Sequence, residues 1–270
     1  MDAQTQLLIG FMLGVGVAGL AWRAGALTRS GSLAAALLGG LIFGLGGLRW
    51  AALLLIFFIT SSGLSHSFGV RKASLAEKFS KGSRRDWGQV AANGGLGALL
   101  VVLHALLPGQ DWIWLAYAGA LAAVNADTWA TELGVLSQVP PRLVTNGKIV
   151  ARGTSGGISL LGTLAALGGA LVIGLAAGWL NLDSGFAATV VAVSLAGLVG
   201  SLFDSWLGAT LQAIYTCPRC QKETEQHPRH TCGIPTERLR GWKWLNNDLV
   251  NVGCALVGAV LAAGVWSLLH

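Results

Sequence analysis

Asp127 and Glu132 fall in NADTWATELG, immediately after an apolar run, with Asn125, Thr128 and Thr131 around them. If a helix continues through this stretch, Asp127 and Thr131 lie one turn apart, as do Thr128 and Glu132. Two carboxylates with hydroxyls and an amide offer hard oxygen donors, the set that suits Mg²⁺, an ion that keeps several of its waters. Two further carboxylates stand in similar places. Asp204 lies in GSLFDSWLGATLQ, with Ser205, Thr210 and Gln212, and Asp248 lies in GWKWLNNDLVN, with Asn246, Asn247 and Asn251. Any one of them could cap a helix or snorkel. Because aspartate near membrane depth is costly, three from separate segments argue for a shared polar interior.

The cations are clustered too. HSFGVRKASLAEKFSKGSRRDWGQVAANGG holds Arg71, Lys72, Lys78, Lys81, Arg84 and Arg85 and ends with Gln89 and Asn93. Attraction to anionic headgroups accounts for the charge. It does not account for two amides entering an apolar run, where they need partners. In PPRLVTNGKIVARGTSGGIS, Lys148 and Arg152 precede Gly153, Thr154, Ser155, Gly156 and Gly157, so backbone N–H groups and a helix N-terminus could form an anion site. The pattern is not a Walker A sequence, and a glycine-rich turn capped by Ser155 would have the same signature. In CPRCQKETEQHPRHTCG, Cys217 and Cys220 have the spacing of a zinc knuckle, and His230 or His227 with Cys232 could complete four ligands. Structural Zn²⁺, free thiols and a disulfide all remain open, the disulfide being least expected on a cytoplasmic face.

These clusters must be positioned by membrane helices. The 270-residue chain is 53% hydrophobic and only 11% charged, far from the composition of soluble domains. Apolar segments at about 6–22, 31–47, 49–64, 91–108, 112–126, 158–180, 184–203 and 249–269 predict an all-α, polytopic bundle of about eight helices. The third and fifth are short for a full span. The start carries Asp2 and two glutamines rather than a basic leader and predicts a first permanent span instead of a cleaved signal. Residues 1–270 then form one integral membrane domain, with polar segments 65–90 and 127–157 and a Cys/His excursion at 213–245. With the N-terminus outside, the inner segments hold 17 of the 18 Lys and Arg residues, and only Arg49 lies outside. The positive-inside rule therefore predicts a multi-pass protein of the cell inner (plasma) membrane with both termini outside. The basic balance thus belongs to topology, and no nucleic-acid partner is expected. Glycine is frequent in the spans, where it lets helix backbones approach.

Seven motifs in order carry a resemblance: LTRSGSLAAALLGG, KGSRRDWGQVAANGG, NADTWATELG, GTSGGIS, GSLFDSWLGATLQ, TCPRC with HTCG, and LNNDLVN. The sequence resembles a family of integral membrane proteins that includes the phytyl-phosphate kinase of plant and cyanobacterial vitamin E synthesis. The resemblance implies phosphoryl transfer from a nucleoside triphosphate, CTP in particular, to an isoprenoid monophosphate such as phytyl or geranylgeranyl phosphate. The family's acidic positions fall on Asp127, Glu132, Asp204 and Asp248, its amides on Asn93, Asn125, Asn247 and Asn251, and its basic positions on Lys81, Arg84 and Arg85.

The expected roles follow. Asp127, Glu132, Asp204 and Asp248 hold Mg²⁺ for catalysis, assisted by Arg84. Lys81, Arg84 and Arg85 hold phosphates of donor or acceptor, Lys148, Arg152 and the 153–157 turn take the other phosphates, and the four asparagines orient carboxylates or phosphate oxygens. Cys217, Cys220, His230 and Cys232 are the candidate zinc ligands. The partners are then the nucleotide, the prenyl phosphate and membrane lipid. The rival class is a cation- or proton-coupled transporter, because inner-facing carboxylates serve that chemistry as well.

Overall fold

A computed structural model describes residues 2–72, 77–182 and 185–269. Eight long helices follow one another: α1 (Ala3–Arg23), α2 (Arg29–Gly46), α3 (Leu48–Lys72), α4 (Trp87–Leu106), α5 (Asp111–Gly134), α6 (Leu160–Leu180), α7 (Phe186–Thr210) and α8 (Asn247–Leu269). All except α5 are apolar and long enough to cross a bilayer. The fold is thus a polytopic helical bundle.

α5 fails that test because its last third is polar, yet it is the axis of the bundle. Every residue from Ile113 to Ala126 is buried, and α3, α4, α6, α7 and α8 pack around it. A helix apolar on all sides has no lipid face to show; it is enclosed by its neighbours. Close approach is built in where α5 crosses α8: a Cβ on Gly119 would lie 2.3 Å from the Gly258 carbonyl, so neither position tolerates a larger residue without the helices separating. The segment that reads as a short fifth span is therefore a 24-residue helix whose polar end continues for two turns past Ala126. The third segment likewise extends, to a helix of 25 residues.

Each polar connection emerges at one end of the bundle. The α6 entry carries a small antiparallel pair, β1 (Arg142–Leu143) with β2 (Gly157–Ile158). Between α7 and α8 lies a three-stranded antiparallel sheet with β3 (Ile214–Cys217) in the centre, flanked by β4 (Lys222–Thr224) and β5 (Glu237–Arg240). At the opposite end Trp50, His104, Trp114 and Tyr117 form an aromatic cluster closed by a 2.7 Å bond from the Tyr117 hydroxyl to the Trp50 carbonyl.

Candidate functional site at the polar end of the bundle

A cavity of about 540 Å³ opens among the polar helix ends and their loops. Four carboxylates line it: Asp127 and Glu132 from α5, Asp204 from α7 and Glu225 just past β4. They come together because α5 remains helical through Glu132, so its polar turn meets the end of α7 deep in the bundle. The Asp204 Oδ2 is buried with no hydrogen-bond partner, and Asp127 lies close enough to repel its charge. Glu132 is 6% exposed and accepts a 2.9 Å bond from the Ser65 hydroxyl. Like charges gathered in low dielectric are unfavourable unless a cation or protons offset them. Carboxylate oxygens are the donor type that a hard divalent ion prefers.

Three cations, Lys81, Arg85 and Arg152, line the same cavity. Arg85 is only 8% exposed. Its backbone is zipped to the α1–α2 turn: its N–H donates to the Ala26 carbonyl and its carbonyl accepts from Thr28, each at 3.0 Å. Gly31 makes that contact possible, for a Cβ there would stand 2.1 Å from the Arg85 oxygen. The guanidinium lies over Phe57 at 5.4 Å and near Phe58 at 6.0 Å. Among the described residues it donates no hydrogen bond, and Glu132 supplies its attraction. Burial pulls its pKa down to about 10, against the pull of Glu132. A guanidinium has five donors in a rigid fork matched to phosphate or carboxylate oxygens, so the Arg85 side chain could receive an anion.

Residues 153–157 line the same cavity. The N–H groups of Thr154 and Gly157 close the turn on the Ala151 and Thr154 carbonyls. Those of Gly153, Ser155 and Gly156 donate to no described atom. A polar chain then links the loops around the opening. Ser155 Oγ donates to Gln212 Oε1 at 2.7 Å, Gln212 Nε2 to Glu225 Oε1 at 3.0 Å, and the Ser80 N–H to Glu225 Oε2 at 3.4 Å. Burial pushes the Glu225 carboxyl above its usual range, against the bonds from Ser80 and Gln212.

Asn93, Asn247 and Asn251 also reach the cavity. Four other sequence candidates stand apart from its wall. Asn125 is fully buried and joins three helices, accepting from Thr60 of α3 at 3.1 Å and donating to the Gly169 carbonyl of α6 at 2.8 Å. Arg84 turns to the Leu27 carbonyl at 3.3 Å, and Lys148 is exposed on the β1–β2 connection. Asp248 accepts from Lys81 at 2.5 Å, and Lys81 also donates to Asp86 at 3.0 Å. These bonds outweigh desolvation and raise the Lys81 pKa. Asp86 is at the same time the N-cap of α4, bonded reciprocally with Gln89. Asp248 therefore acts on the cavity through the lysine it holds. Glu225 was not among the sequence candidates. Its position depends on β3–β4 pairing and on a 2.8 Å backbone bond to the Lys78 carbonyl, neither of which has a local sequence signal.

The zinc candidates do converge. The ligand atoms of Cys217, Cys220, His230 and Cys232 all lie within 4.8 Å of one another, with Cys217 Sγ 3.5 Å from Cys232 Sγ and His230 Nδ1 3.2 Å from Cys232 Sγ. All four cysteines of the chain are free thiols, so there is no disulfide. Three sulfurs and one imidazole at these separations match a closed tetrahedral site. On the far side of the ring, His230 Nε2 faces Glu77 at 4.0 Å. Glu77 is bonded to Lys222, which holds its carboxyl below the usual range. The Cys/His sheet therefore grips residues 77–81, the strap that carries Lys81 over the cavity, and Lys78 continues it to the Arg152 carbonyl at 2.7 Å.

A family profile described as integral membrane protein DUF92 matches residues 12–259. The chain belongs to that family. It is 36% identical over 239 residues to Protein PGR of Arabidopsis thaliana, covering 80% of this chain and 81% of that protein. An uncharacterized membrane protein of Methanocaldococcus jannaschii is 35% identical over 188 residues, with 69% and 75% coverage. Protein VTE6, chloroplastic, of Arabidopsis thaliana is 27% identical over 240 residues, covering 87% of this chain and 64% of that protein. No solved structure matches significantly. The family match spans every described residue that lines the cavity, from Ser65 to Asn251.

Proposed function

We propose that the family member described here transfers a phosphoryl group from a nucleoside triphosphate, CTP in particular, to an isoprenoid monophosphate at the cytoplasmic face of the inner membrane, both termini lying outside. The observation that carries this is one cavity lined both by the carboxylates Asp127, Glu132, Asp204 and Glu225 and by Lys81, Arg85, Arg152 and loop amides. A cation with phosphates requires both sets of groups.

Asp127, Glu132 and Asp204 would hold Mg²⁺, and the buried, unpartnered Asp204 Oδ2 is consistent with that use. When bound, the ion neutralises triphosphate charge. The acceptor is a phosphate monoester, largely ionised at neutral pH because its second pKa is about 6. No strong general base is needed, and none of the described lining residues is a histidine. An acceptor oxygen forms a bond to the terminal phosphorus of the donor, the bond from that phosphorus to the bridging oxygen breaks, and the nucleoside diphosphate leaves with the electron pair. The task left to the protein is to overcome repulsion between two anions. Arg85 would grip the acceptor phosphate with its fork, while the 153–157 amides and Arg152 take donor phosphates. Lys81, fixed by Asp248 and Asp86, would lie between the two.

The test is incubation of purified protein in nanodiscs with labelled CTP or ATP, Mg²⁺ and a panel of prenyl monophosphates. Metal-dependent formation of prenyl diphosphate with release of nucleoside diphosphate is expected. No transfer with any pair, together with substrate-driven counterflow in liposomes without nucleotide, would replace the kinase by a transporter.

A further inference from the structure

A second cavity adjoins the first and has the opposite character. Its volume is about 220 Å³, and apart from Arg85, Gln89 and Asn93 every residue on its wall is apolar or glycine. One wall is a single stripe of α1: Gly10, Leu13, Gly14, Val17, Ala18 and Ala21. That spacing follows one helix face for three turns, roughly 16 Å, or about half the hydrocarbon thickness of a bilayer. α1 packs on α2, and α2 in turn on α3 and α4, so α2 forms the floor of a slot with α1 and α3 as its sides. The rim residues Leu13, Val17 and Leu55 are at least a third exposed, and they face lipid in a membrane helix bundle.

The three polar exceptions are shared. Arg85, Gln89 and Asn93 line the polar cavity as well, so the two spaces meet at the buried guanidinium. Whatever occupies both must be apolar along one narrow chain and anionic at one end. The anionic end would sit where the guanidinium has no acceptor among the described residues, and the chain would run up the α1 stripe toward the middle of the bilayer. A diacyl lipid brings two chains to a slot one helix face wide. A single branched chain suits it better.

From this continuity, and resting on the phosphoryl-transfer reading, we propose that the groove between α1, α2, α3 and α4 holds the isoprenoid tail of the acceptor, entering from lipid between α1 and α3, with its monophosphate on Arg85. The far end, near Ala51, then limits chain length. Ala51 is about two helical turns, roughly 10 Å, beyond the Phe58 that neighbours Arg85.

The experiment uses the full-length protein in nanodiscs and a farnesyl phosphate carrying a benzophenone at its tail, irradiated without nucleotide, with adducts mapped by mass spectrometry. Labelling on α1 and α3 residues of the groove is expected, competed by farnesyl phosphate and not by phosphatidic acid. The corresponding farnesol probe should label at least about tenfold less, the factor for one lost charge-assisted contact. Adducts confined to α6 and α7, adducts spread evenly over lipid-facing positions, or equal competition by phosphatidic acid would overturn the assignment. Ala51→Trp should shift binding preference from geranylgeranyl toward geranyl phosphate by at least about tenfold, because several methylenes lose their burial. If that variant does not fold, Leu13→Trp at the exposed rim replaces it, with the same shift expected; an unchanged preference in a folded variant would overturn the groove. Because photolabelling needs no turnover, the two ideas fail separately. Groove adducts without transfer from any nucleotide would remove the kinase and leave the groove, whereas transfer with adducts elsewhere would do the reverse.

Discussion

Replacing Arg85 by methionine separates a residue kept for a ligand from one kept for the fold. In the free protein the charged side chain is a burden: burial lowers its pKa from the usual arginine range to about 10, which at 1.36 kcal/mol per unit costs about 3 kcal/mol at neutral pH. The sign is that of a cation with a depressed folded pKa, so the cost is present at neutral pH and disappears only as pH rises through the folded value. The attraction to Glu132 is already contained in that net value, and the stacking on Phe57 and Phe58 returns part of the cost. Methionine fills similar space, keeps the contact with both rings and removes the desolvated charge, at the expense of the attraction that Arg85 gives Glu132. These changes nearly cancel, so the melting temperature in detergent should stay within about 4 °C of the parent.

Activity should not survive so well. A forked guanidinium makes two charge-assisted bonds to a phosphate, each worth about 1.5–3 kcal/mol. Their loss is expected to lower kcat/KM for the prenyl phosphate about a hundredfold to ten-thousandfold. Arg85→Lys, which keeps the charge and loses the fork, should lie between the two. The assay is steady-state transfer from labelled CTP at saturating Mg²⁺, paired with thermal unfolding of the same preparation. A folded methionine variant with parental kcat/KM would refute the anion site. So would activity lost only in proportion to a collapse in stability, because the side chain would then be serving the packing of α3 against the strap.

Asp204→Asn should fold and lose at least about a hundredfold in transfer, the scale of a lost electrostatic transition-state contact, with a raised Mg²⁺ requirement; parental Mg²⁺ dependence would exclude Asp204 as a metal contact. Cys220→Ser, or prolonged chelation, should release the strap at Glu77 and lower activity about tenfold to a hundredfold although no cavity residue changes; zinc content by elemental analysis and recovery on adding Zn²⁺ would check it, and a fully active, zinc-free protein would refute it. Because burial raises the Glu225 pKa, that carboxyl takes up its proton at higher pH in the fold than in the unfolded chain. Its ionised form therefore destabilises the free protein as pH rises through this window. Divalent-ion affinity should rise over the same window with proton release on binding, and Glu225→Gln should remove that pH dependence in calorimetry; an unchanged profile would place Glu225 outside the ion's reach.

The helices were legible because apolar runs bounded by charge have few alternatives in a bilayer, and the clustering of Lys and Arg in four connections is matched by those connections meeting at one end. Asp127, Glu132 and Asp204 were legible for a related reason: a carboxylate at a helix end in so apolar a chain is conspicuous. Asn125 was conspicuous too, but its amide serves the joint between α3 and α6, for a buried amide satisfied within the bundle looks the same in sequence as one waiting for a phosphate. The polar two turns of α5 depress its hydropathy, and the central helix consequently resembled the weakest span.

What no local pattern could show is the separation of neighbouring cations. Lys81, Arg84 and Arg85 are nearly adjacent, yet one is held by carboxylates, one turns to a backbone carbonyl, and one is buried with no acceptor for its side chain among the described residues. Those three fates are decided by elements more than fifty residues away: the α1–α2 turn that pairs with Arg85, and the α8 aspartate that takes Lys81. A lipid phosphate and a water-soluble nucleotide approach from different solvents, so their meeting point needs a charge placed at the boundary between an apolar slot and a wet cavity. Arg85 occupies that boundary at the cost of its own hydration. An exposed arginine could bind either phosphate, but its long-range pull would be screened by salt and its fork already hydrated. Burial keeps the fork dry and fixed, and it is the parallel contact with Leu27 and the small residue at Gly31 that make such burial possible.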